Sequence, residues 1–496
     1  MITSNFMLDK IKRLGAETIV YGIMTVIGRF LTFLLVPFYT HILEPGEYGI
    51  VAYLFSLIAF STIFFSYGME SAYFKYASTQ EIGTQKQNFS TPFLSLFITS
   101  ILFSSLLSVF NGEISSIAGF GESGSRLIVF AAWILCFDTI ALVPFASLRL
   151  RHKPGLFTAV KLANIIINVT LNVVFLAFLG MGVEGVFLAG LIASGSTLLL
   201  LIPVSWKFLG LSFSPELWKS LLKFGIPYVP AGVAAIALQV IDRPLLRMLT
   251  DDATVGIYQA NYRLGIVIML LVTTFDYAYR PFFLNNANQP DAKKLYARVS
   301  TYFYTLMLFV WIIVTVFIHD IVKLEFGGRY LIHPDYWSGL PIIPVVMVAY
   351  IFTGWITLLM PGIFIEKKTK YLPVISGTAA AVNIIVNLVF IPIYGMMGAA
   401  LATLVSYIVS AAGTYWVSQR FYPVQYEIKR LFIVTSFFIV CGGGAYYLLF
   451  FSTIETGLLL KLIIVTGFPI LLIISGFLTN EELRALKNAA GRLTKQ

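Results

Sequence analysis

Apolar stretches of about 20 residues recur along the whole chain, and they limit its fold more than any other feature. A stretch of that length crosses the hydrocarbon core of a bilayer as an α-helix. The stretches are continuous rather than alternating and exceed the length of a barrel strand, so helices are predicted. Charged residues make up only 12% of the chain, against roughly 25% in soluble domains. An all-α polytopic membrane protein is therefore predicted.

The sequence predicts about fourteen transmembrane helices. Their approximate bounds are Ile19–His41, Tyr48–Tyr67, Pro92–Phe110, Leu127–Leu148, Phe157–Leu179, Val183–Trp206, Leu221–Leu249, Val255–Phe275, Tyr302–Val322, Leu340–Ile365, Tyr371–Ile393, Met396–Val417, Leu431–Phe451 and Leu458–Leu478. The residues before the first helix are amphipathic and are predicted to lie along the inner membrane surface.

The positions of the basic residues predict the orientation. Alternate loops hold nearly all of the lysines and arginines, whereas the opposite loops hold only Arg126, Lys323, Arg329 and Lys461. Cytoplasmic loops carry the excess of positive charge in membrane proteins. The chain is therefore predicted to lie in a bacterial inner membrane with both termini on the cytoplasmic side. The same bias explains the net charge of +10, and no nucleic-acid partner is predicted.

Residues suited to metal binding or catalysis are few and scattered. Cys136 and Cys441 lie inside apolar runs, and the four histidines show no metal-ligand spacing. The longest outer segment, Lys323–Gly339, is too small to hold a catalytic domain. No Walker motif is present. The chain is therefore predicted to have no metal, no cofactor and no enzymatic activity.

The chain contains an internal repeat. At an offset of about 207 residues Gly49 matches Gly256, and at about 215 residues the pair Asn168 and Asn172 matches Asn383 and Asn387. Six spans per half give both halves the same membrane orientation, which is the layout of many alternating-access carriers. The predicted domains are 1–206 (a six-helix bundle with the amphipathic N-terminus), 207–220 (a cytoplasmic linker), 221–418 (a second six-helix bundle) and 419–496 (two extra helices and a tail).

Several short motifs, in this order and spacing, resemble those of polysaccharide transporters in the multidrug, oligosaccharidyl-lipid and polysaccharide exporter superfamily. They are Tyr48-Gly49-Ile50, Tyr67-Gly68-Met69-Glu70, Phe224-Gly225-Ile226-Pro227, Ile241-Asp242-Arg243, Val255-Gly256-Ile257-Tyr258 and the stretch 394–403. The resemblance implies a V-shaped pair of six-helix bundles. Such proteins flip an undecaprenyl-diphosphate-linked oligosaccharide outward for lipopolysaccharide O-antigen or capsule. Implied partners are that lipid, membrane lipids and other polysaccharide-assembly proteins.

Arginines inside the predicted helices are candidates for binding the diphosphate. Ionisable residues at bilayer depth are costly and mark function by default, and arginine grips phosphate oxygens in a bidentate manner. The candidates are Arg29, Arg263 and Arg243. The resemblance adds that helices 1 and 8, which hold Arg29 and Arg263, supply cavity arginines in similar flippases. Helix 2 has no arginine here, so that part of the family pattern is absent.

The acidic residues of the spans have two interpretations each. Asp138 and Asp242 are candidates for ion coupling or for structural ion pairs, with Asp242 close to Arg263 in the hairpin of helices 7 and 8. Arg247 is expected at the outer interface, near Asp251. Glu70, Asp276 and Arg280 lie at cytoplasmic helix ends, where they form either an inner gate or local surface pairs.

Three other functions remain open at this point. A multidrug cation antiporter of the same superfamily would need an acidic cavity, whereas the buried balance here is basic. A membrane-bound polysaccharide polymerase or ligase would need catalytic residues on a substantial outer loop. A purely structural scaffold would leave the buried arginines unexplained. The resemblance and the basic balance together favour the flippase.

Overall fold

The computed structural model describes residues 28, 31, 33–121, 124–210, 212–452 and 457–477. The predicted amphipathic N-terminus, most of the first predicted span and the C-terminal tail lie outside the described residues. Contacts divide the chain into two compact units. The first unit holds the described residues up to Leu264 together with Ile332–Gly339 and Lys370–Ser410. The second unit holds Gly265–Leu331, Leu340–Thr369 and the described residues from Ala411 onward.

The first unit is helical throughout its regular structure. Its helices are α1 (Phe33–Ile42), α2 (Pro45–Ser66), α3 (Met69–Thr79), α4 (Gln85–Val109), α5 (Asn111–Ile117), α6 (Ser125–Ile140), α7 (Leu142–Leu150), α8 (Pro154–Val173), α9 (Gly182–Phe208), α10 (Pro215–Gly225), α11 (Val229–Val240), α12 (Asp242–Leu249) and α13 (Asp252–Leu264). One π-helical turn, Val174–Phe178, extends α8. Most of these helices pack in sequence order or against the long helices α2 and α9.

The second unit contains one small sheet besides its helices. Its elements are α14 (Ile266–Asn286), α15 (Ala292–Val322), β1 (Glu325–Phe326), β2 (Arg329–Tyr330), α16 (Ile342–Ile365), α19 (Ile428–Phe438), α20 (Gly444–Phe450) and α21 (Leu458–Ile474). Helix α17 (Leu372–Tyr394) belongs to the first unit, and the unit boundary divides α18 (Met396–Phe421). The strands pair antiparallel through Glu325 with Tyr330 and Phe326 with Arg329.

Twelve helices among the described residues are long and apolar enough to cross a membrane, judged by length and composition. Two shorter apolar helices also overlap predicted spans: α1 overlaps the end of the first, and α21 lies within the last. Each of the fourteen predicted spans therefore has a helical counterpart. The predicted class, an all-α polytopic membrane protein with about fourteen spans, is confirmed.

Several helix ends differ from those predicted because charged residues end an apolar stretch without ending a helix. The predicted span Tyr302–Val322 begins ten residues earlier, at Ala292. The predicted span Val255–Phe275 is two helices, α13 and α14, separated at Gly265, and α14 continues to Asn286. The predicted linker 207–220 is also partly helical, since α10 starts at Pro215. The predicted division into two six-helix bundles stays a prediction.

The seventh predicted span, Leu221–Leu249, is interrupted twice. A 3-10 turn at Ile226–Tyr228 separates α10 from α11, and Ile241 separates α11 from α12. Proline removes a backbone donor and clashes with the preceding turn, and Pro227 lies in the first interruption. The span is therefore broken at two points rather than forming one continuous helix.

Helices α2 and α13 cross at two glycines that the internal repeat predicts to be equivalent. A Cβ atom on Gly49 would lie 1.8 Å from the Asp252 carbonyl oxygen, and one on Gly256 would lie 1.9 Å from the Pro45 carbonyl oxygen. The relation is reciprocal, because Pro45 and Asp252 are separated by the same 207 residues as the glycines. Only glycine permits backbones to approach this closely.

Candidate functional site

A buried ion pair lies at the start of α12. The Arg243 Nη1 donates to the Asp242 Oδ1 at 2.6 Å, and the two side chains are only 8% and 5% exposed. Tyr258 on α13 donates its hydroxyl to the other oxygen, Asp242 Oδ2, at 2.6 Å. Both carboxylate oxygens are thus satisfied, as a buried charge requires.

Arg243 donates two further hydrogen bonds from its side chain. Its Nε donates to the Gln259 side-chain oxygen at 3.1 Å, and its Nη1 donates to the Gln239 carbonyl at 2.7 Å. The guanidinium lies 4.3 Å from the centroid of the Tyr262 ring, within the range of a cation–π interaction. Arg243 is therefore held as a structural charge by α11, α12 and α13, with its own carboxylate partner.

Arg263 has a different environment from Arg243. It lies on the last turn of α13, is half-buried, and its charge acts on the phenols of Tyr39 and Tyr48. Within the described part of the chain it forms no ion pair. Asp242 forms its ion pair with the neighbouring Arg243 and accepts from Tyr258, so Arg263 is not its partner in the described part of the chain.

Asparagines line two helices of this unit in matching positions. On α8, Asn172 Nδ2 donates to the Asn168 carbonyl and side-chain oxygens, and on α17 Asn387 donates to Asn383 in the same way. Tyr39 donates to the Asn172 Oδ1 at 2.8 Å. The asparagines therefore bond mainly along their own helices, and Tyr39 links α1 to α8 beside Arg263.

The segment Ile332–Gly339 belongs to the first unit and packs against its helices. The Tyr336 hydroxyl donates to the Leu43 carbonyl at 2.9 Å, and Asn261 Nδ2 donates to the Tyr336 carbonyl at 2.8 Å. Burial raises the pKa of Tyr336 above its usual range, with smaller contributions from Tyr48 and nearby carboxylates. The phenol therefore stays protonated and keeps its role as a donor.

Arg247 joins three parts of the first unit. Its Nε lies 2.5 Å from Asp252 Oδ1, its Nη1 donates to the Ala118 carbonyl, and its guanidinium lies 4.2 Å from the Phe120 ring centroid. The side chain is 12% exposed. The expected partner Asp251 is wrong: it caps its own helix by accepting from Thr254, and Asp252 takes Arg247. Arg247 is therefore a nearly buried link between these segments, and its location at the outer interface stays a prediction.

We expect Arg247→Lys to lower the midpoint of thermal unfolding of the purified protein. Lysine keeps the charge but lacks the planar guanidinium, which in Arg247 bonds the Asp252 carboxylate and the Ala118 carbonyl and packs on the Phe120 ring. The free energy of unfolding should fall by about 1–3 kcal/mol, because a buried partner is left without its hydrogen bond. The matched control is Arg126→Lys, since the Arg126 side chain is 77% exposed and its Nη1 lies as far as 3.6 Å from the Glu184 carboxylate. Equal midpoints for both variants would contradict the link.

Asp138 has a basic neighbour that the sequence did not indicate. It lies on α6, where its carboxylate has a hydrogen bond with Ser194 and an electrostatic interaction with Lys161. Lys161 lies on α8 and also feels Arg149. The available signal was the position of Lys161 inside the predicted span Phe157–Leu179.

Each candidate gate residue has an ion-pair partner within its own unit. Glu70 on α3 binds Arg149 on α7, and the Arg149 guanidinium lies 4.9 Å from the Phe74 ring. Asp276 and Arg280 form an i,i+4 pair on α14, with Arg280 Nε 3.0 Å from Asp276 Oδ1. Glu70 belongs to the first unit and the other two to the second. Their shared role as an inner gate stays a prediction.

Of the residues expected to bind the diphosphate, Arg29 lies outside the described residues. Arg263 and Arg243 are both on the short hairpin of α12 and α13, but only Arg263 lacks a carboxylate partner there. Sequence reasoning missed the tyrosines around them, Tyr39, Tyr48, Tyr258 and Tyr262, because single aromatic residues in apolar helices carry no positional signal.

Comparison with solved structures identifies the fold. The lipid II flippase MurJ in an inward closed conformation superposes with a TM-score of 0.71 at 14% identity, over 92% of this chain and 98% of the other. An inward-facing multidrug resistance MATE family transporter of the MOP superfamily gives 0.58 at 15% identity, over 79% and 94%. A MOP superfamily transporter from Pyrococcus furiosus, described by the reverse polarity of its binding pocket, gives 0.55 at 14% identity, over 83% and 95%.

Sequence comparison identifies the family. A search among curated proteins finds no significant match. The model of one protein family, described as Polysaccharide biosynthesis protein, matches residues 39–333. That range is more than half of the chain and contains the glycine crossing, the buried ion pair and Arg263. The chain belongs to this polysaccharide biosynthesis family, and it has the fold of the MOP superfamily transporters.

Proposed function

We propose that this protein is a flippase that moves an undecaprenyl-diphosphate-linked oligosaccharide from the cytoplasmic to the outer leaflet, for cell-surface polysaccharide such as O-antigen. The observation that carries the proposal is Arg263, a half-buried guanidinium with no carboxylate partner among the described residues. A diphosphate offers the negative oxygens that such a group binds best. Membership in a polysaccharide biosynthesis family and the likeness to a lipid II flippase support the same substrate class.

The tyrosines beside Arg263 suit the head group of such a lipid. Tyr39 and Tyr48 place phenols within electrostatic reach of the guanidinium. A phenol donates a hydrogen bond without adding negative charge. The Tyr39 hydroxyl already donates to Asn172, so Tyr48 is the phenol proposed to donate to the anion. Arg29, in the first span predicted from the sequence, is proposed as a second cation for the diphosphate. Arg243 is proposed to hold the α12–α13 hairpin that presents Arg263.

The proposed direction of transport agrees with the membrane potential. Two negative charges moving outward yield on the order of 4–5 kcal/mol per 100 mV when the inside is negative. The proposal therefore requires no nucleotide hydrolysis and no catalysis by the protein. Under this proposal the protein lies in a bacterial inner membrane with both termini on the cytoplasmic side. Its partners are the lipid-linked oligosaccharide and membrane lipids. Asp138, next to Lys161, is the proposed place for any ion coupling.

The test is to delete the gene and quantify lipid-linked oligosaccharides by mass spectrometry. We expect a completed diphosphate-linked glycan to accumulate, and the wild-type gene to remove it. Arg263→Ala should fail to restore transport, with at least about a tenfold loss of rate if a charge-assisted bond of about 1.5–3 kcal/mol is removed. Arg263→Lys should restore part of the rate because it keeps the charge.

The control for this test is Arg126→Ala, which removes an exposed arginine outside the site. Membrane levels of each variant must match the wild type. If no lipid-linked glycan accumulates and sensitivity to cationic dyes rises instead, the protein is a multidrug antiporter and the flippase proposal is wrong. If Arg263→Ala restores transport fully, the site is wrong while the flippase activity stands.

A further inference from the structure

A cavity outside the proposed transport site lies in the second unit, where α15 begins and α18 leads into α19. It measures about 480 Å³. Five of its seven lining residues are polar or charged, namely Asp291, Lys294, Arg298, Gln425 and Glu427, and the other two are Leu295 and Ala297. None of these residues entered the argument for the flippase.

The level of this cavity relative to the bilayer follows from the length of α15. The helix has 31 residues, which at 1.5 Å per residue is about 46 Å, whereas the hydrocarbon core is only about 30 Å thick. Its apolar part begins near Tyr302, so the first ten residues, which include Lys294 and Arg298, extend beyond the hydrocarbon. The cavity therefore lies at the level of the lipid head groups.

The charges of the cavity leave one cation without a partner. Lys294 Nζ lies 3.4 Å from Asp291 Oδ1, and Glu427 Oε2 accepts from Arg430 Nη1 at 3.4 Å. Arg298 is exposed and forms no ion pair with any residue that the structure describes. One guanidinium is thus available for one negative charge, and the Gln425 side-chain amide lines the same space.

The wall opposite α15 is held in place by a hydrogen-bonded clamp. The Gln419 side chain donates to the Val424 carbonyl at 2.8 Å and accepts from the Val424 amide at 3.0 Å. Val424 is buried, and the chain reverses again where the Ile428 amide donates to the Tyr426 carbonyl at 2.8 Å. This clamp orders the segment that carries Gln425 and Glu427, so the cavity is preorganised and does not depend on a loose loop.

We propose that this cavity binds the phosphodiester head group of a membrane phospholipid. A phosphodiester carries a single negative charge, which matches the single unpaired guanidinium of Arg298. Amine or hydroxyl groups beyond the phosphate find acceptors in the carboxylates of Asp291 and Glu427. The acyl chains would run along α15, whose residues from Tyr302 onward are apolar. The site is separate from Arg263 and holds whether or not the transported lipid is the proposed one.

The test uses the full-length protein purified in detergent and native mass spectrometry. Short-chain phosphatidylglycerol and phosphatidylethanolamine are titrated separately, each with and without inorganic phosphate at equal concentration. We expect Arg298→Gln to weaken phospholipid binding about tenfold, because one charge-assisted hydrogen-bonding group is lost. Arg298→Lys should retain part of the affinity. Lys219→Gln, which removes another exposed cation outside the cavity, should leave it unchanged.

Each outcome decides the proposal. A loss confined to Arg298→Gln, with no displacement by inorganic phosphate, supports a phospholipid site. Displacement by inorganic phosphate would identify the ligand as the free anion and overturn the lipid assignment. Equal binding by wild type and Arg298→Gln would overturn the site itself. Because Arg298 is exposed, the variant should elute from size exclusion as the wild type does, which separates a lost site from a misfolded protein.

Discussion

Replacing Gly256 with alanine should both destabilise the protein and abolish its transport activity. The added Cβ would lie 1.9 Å from the Pro45 carbonyl oxygen, so the α2 and α13 backbones must separate. Overpacking in a well-packed interior costs about 1–3 kcal/mol, and a clash with backbone leaves no side chain that can rotate away. We expect a clear drop in the midpoint of thermal unfolding in detergent, together with accumulation of the lipid-linked glycan. Gly49→Ala should have the same effect.

Gly46 provides the matched control for the crossing. It lies one turn before Gly49 on α2, and a Cβ there would meet no atom within 4 Å. Alanine is favoured over glycine inside a helix by up to about 1 kcal/mol, so Gly46→Ala should be neutral or slightly stabilising. If Gly49→Ala and Gly256→Ala behave like Gly46→Ala, the close backbone contact does not exist in the protein.

Breaking the Asp242–Arg243 pair should be the most destabilising change among the charged residues. Removing one partner of a buried ion pair typically costs about 3–5 kcal/mol, because the other charge stays buried without compensation. We therefore expect Asp242→Asn and Arg243→Met each to lower the free energy of unfolding by that amount. Asp242→Asn also weakens the acceptor for the Tyr258 hydroxyl. The measurement is denaturant unfolding of the purified protein, followed by tryptophan fluorescence.

The double variant distinguishes a true pair from two separate effects. With both charges removed, no buried charge is left uncompensated, so Asp242→Asn with Arg243→Met should cost less than the sum of the single changes. Additive losses would contradict the pair. The local pair Asp276–Arg280 serves as the control, since Arg280 is 56% exposed and exposed pairs contribute about 0–1 kcal/mol.

The sequence predicted the helices well and the partners of buried charges poorly. Hydrophobic length is a strong signal, so every predicted span has a helical counterpart. Ends were missed where charges lie within a helix, as Asp276 and Arg280 do on α14. The ion pairs depend on which faces of the helices meet, and periodicity does not determine that. Arg247 forms its ion pair with Asp252 instead of Asp251 because Asp251 caps α13.

The repeat was the most informative part of the sequence for tertiary structure. Matching Gly49 with Gly256 required only an offset, and the structure brings these residues together. The same offset cannot reveal the side chains that fill each half differently. Tyr39, which bonds Asn172 on α8, would correspond to Leu246 in the second half. The partner of Asn172 thus has no equivalent at this offset, and Asn387 Oδ1 has no hydrogen-bond partner among the described residues.

The glycine crossing has the geometry of a two-fold interface inside one chain. In a symmetric homodimer each subunit presents the same patch, and residue i of one meets residue j of the other while j meets i. Gly49 with Asp252 and Gly256 with Pro45 obey this rule within a single polypeptide. A local pseudo-dyad therefore passes between the two glycines. A half-length ancestor with this segment would have been self-complementary there, able to pair with a second copy before duplication joined the two.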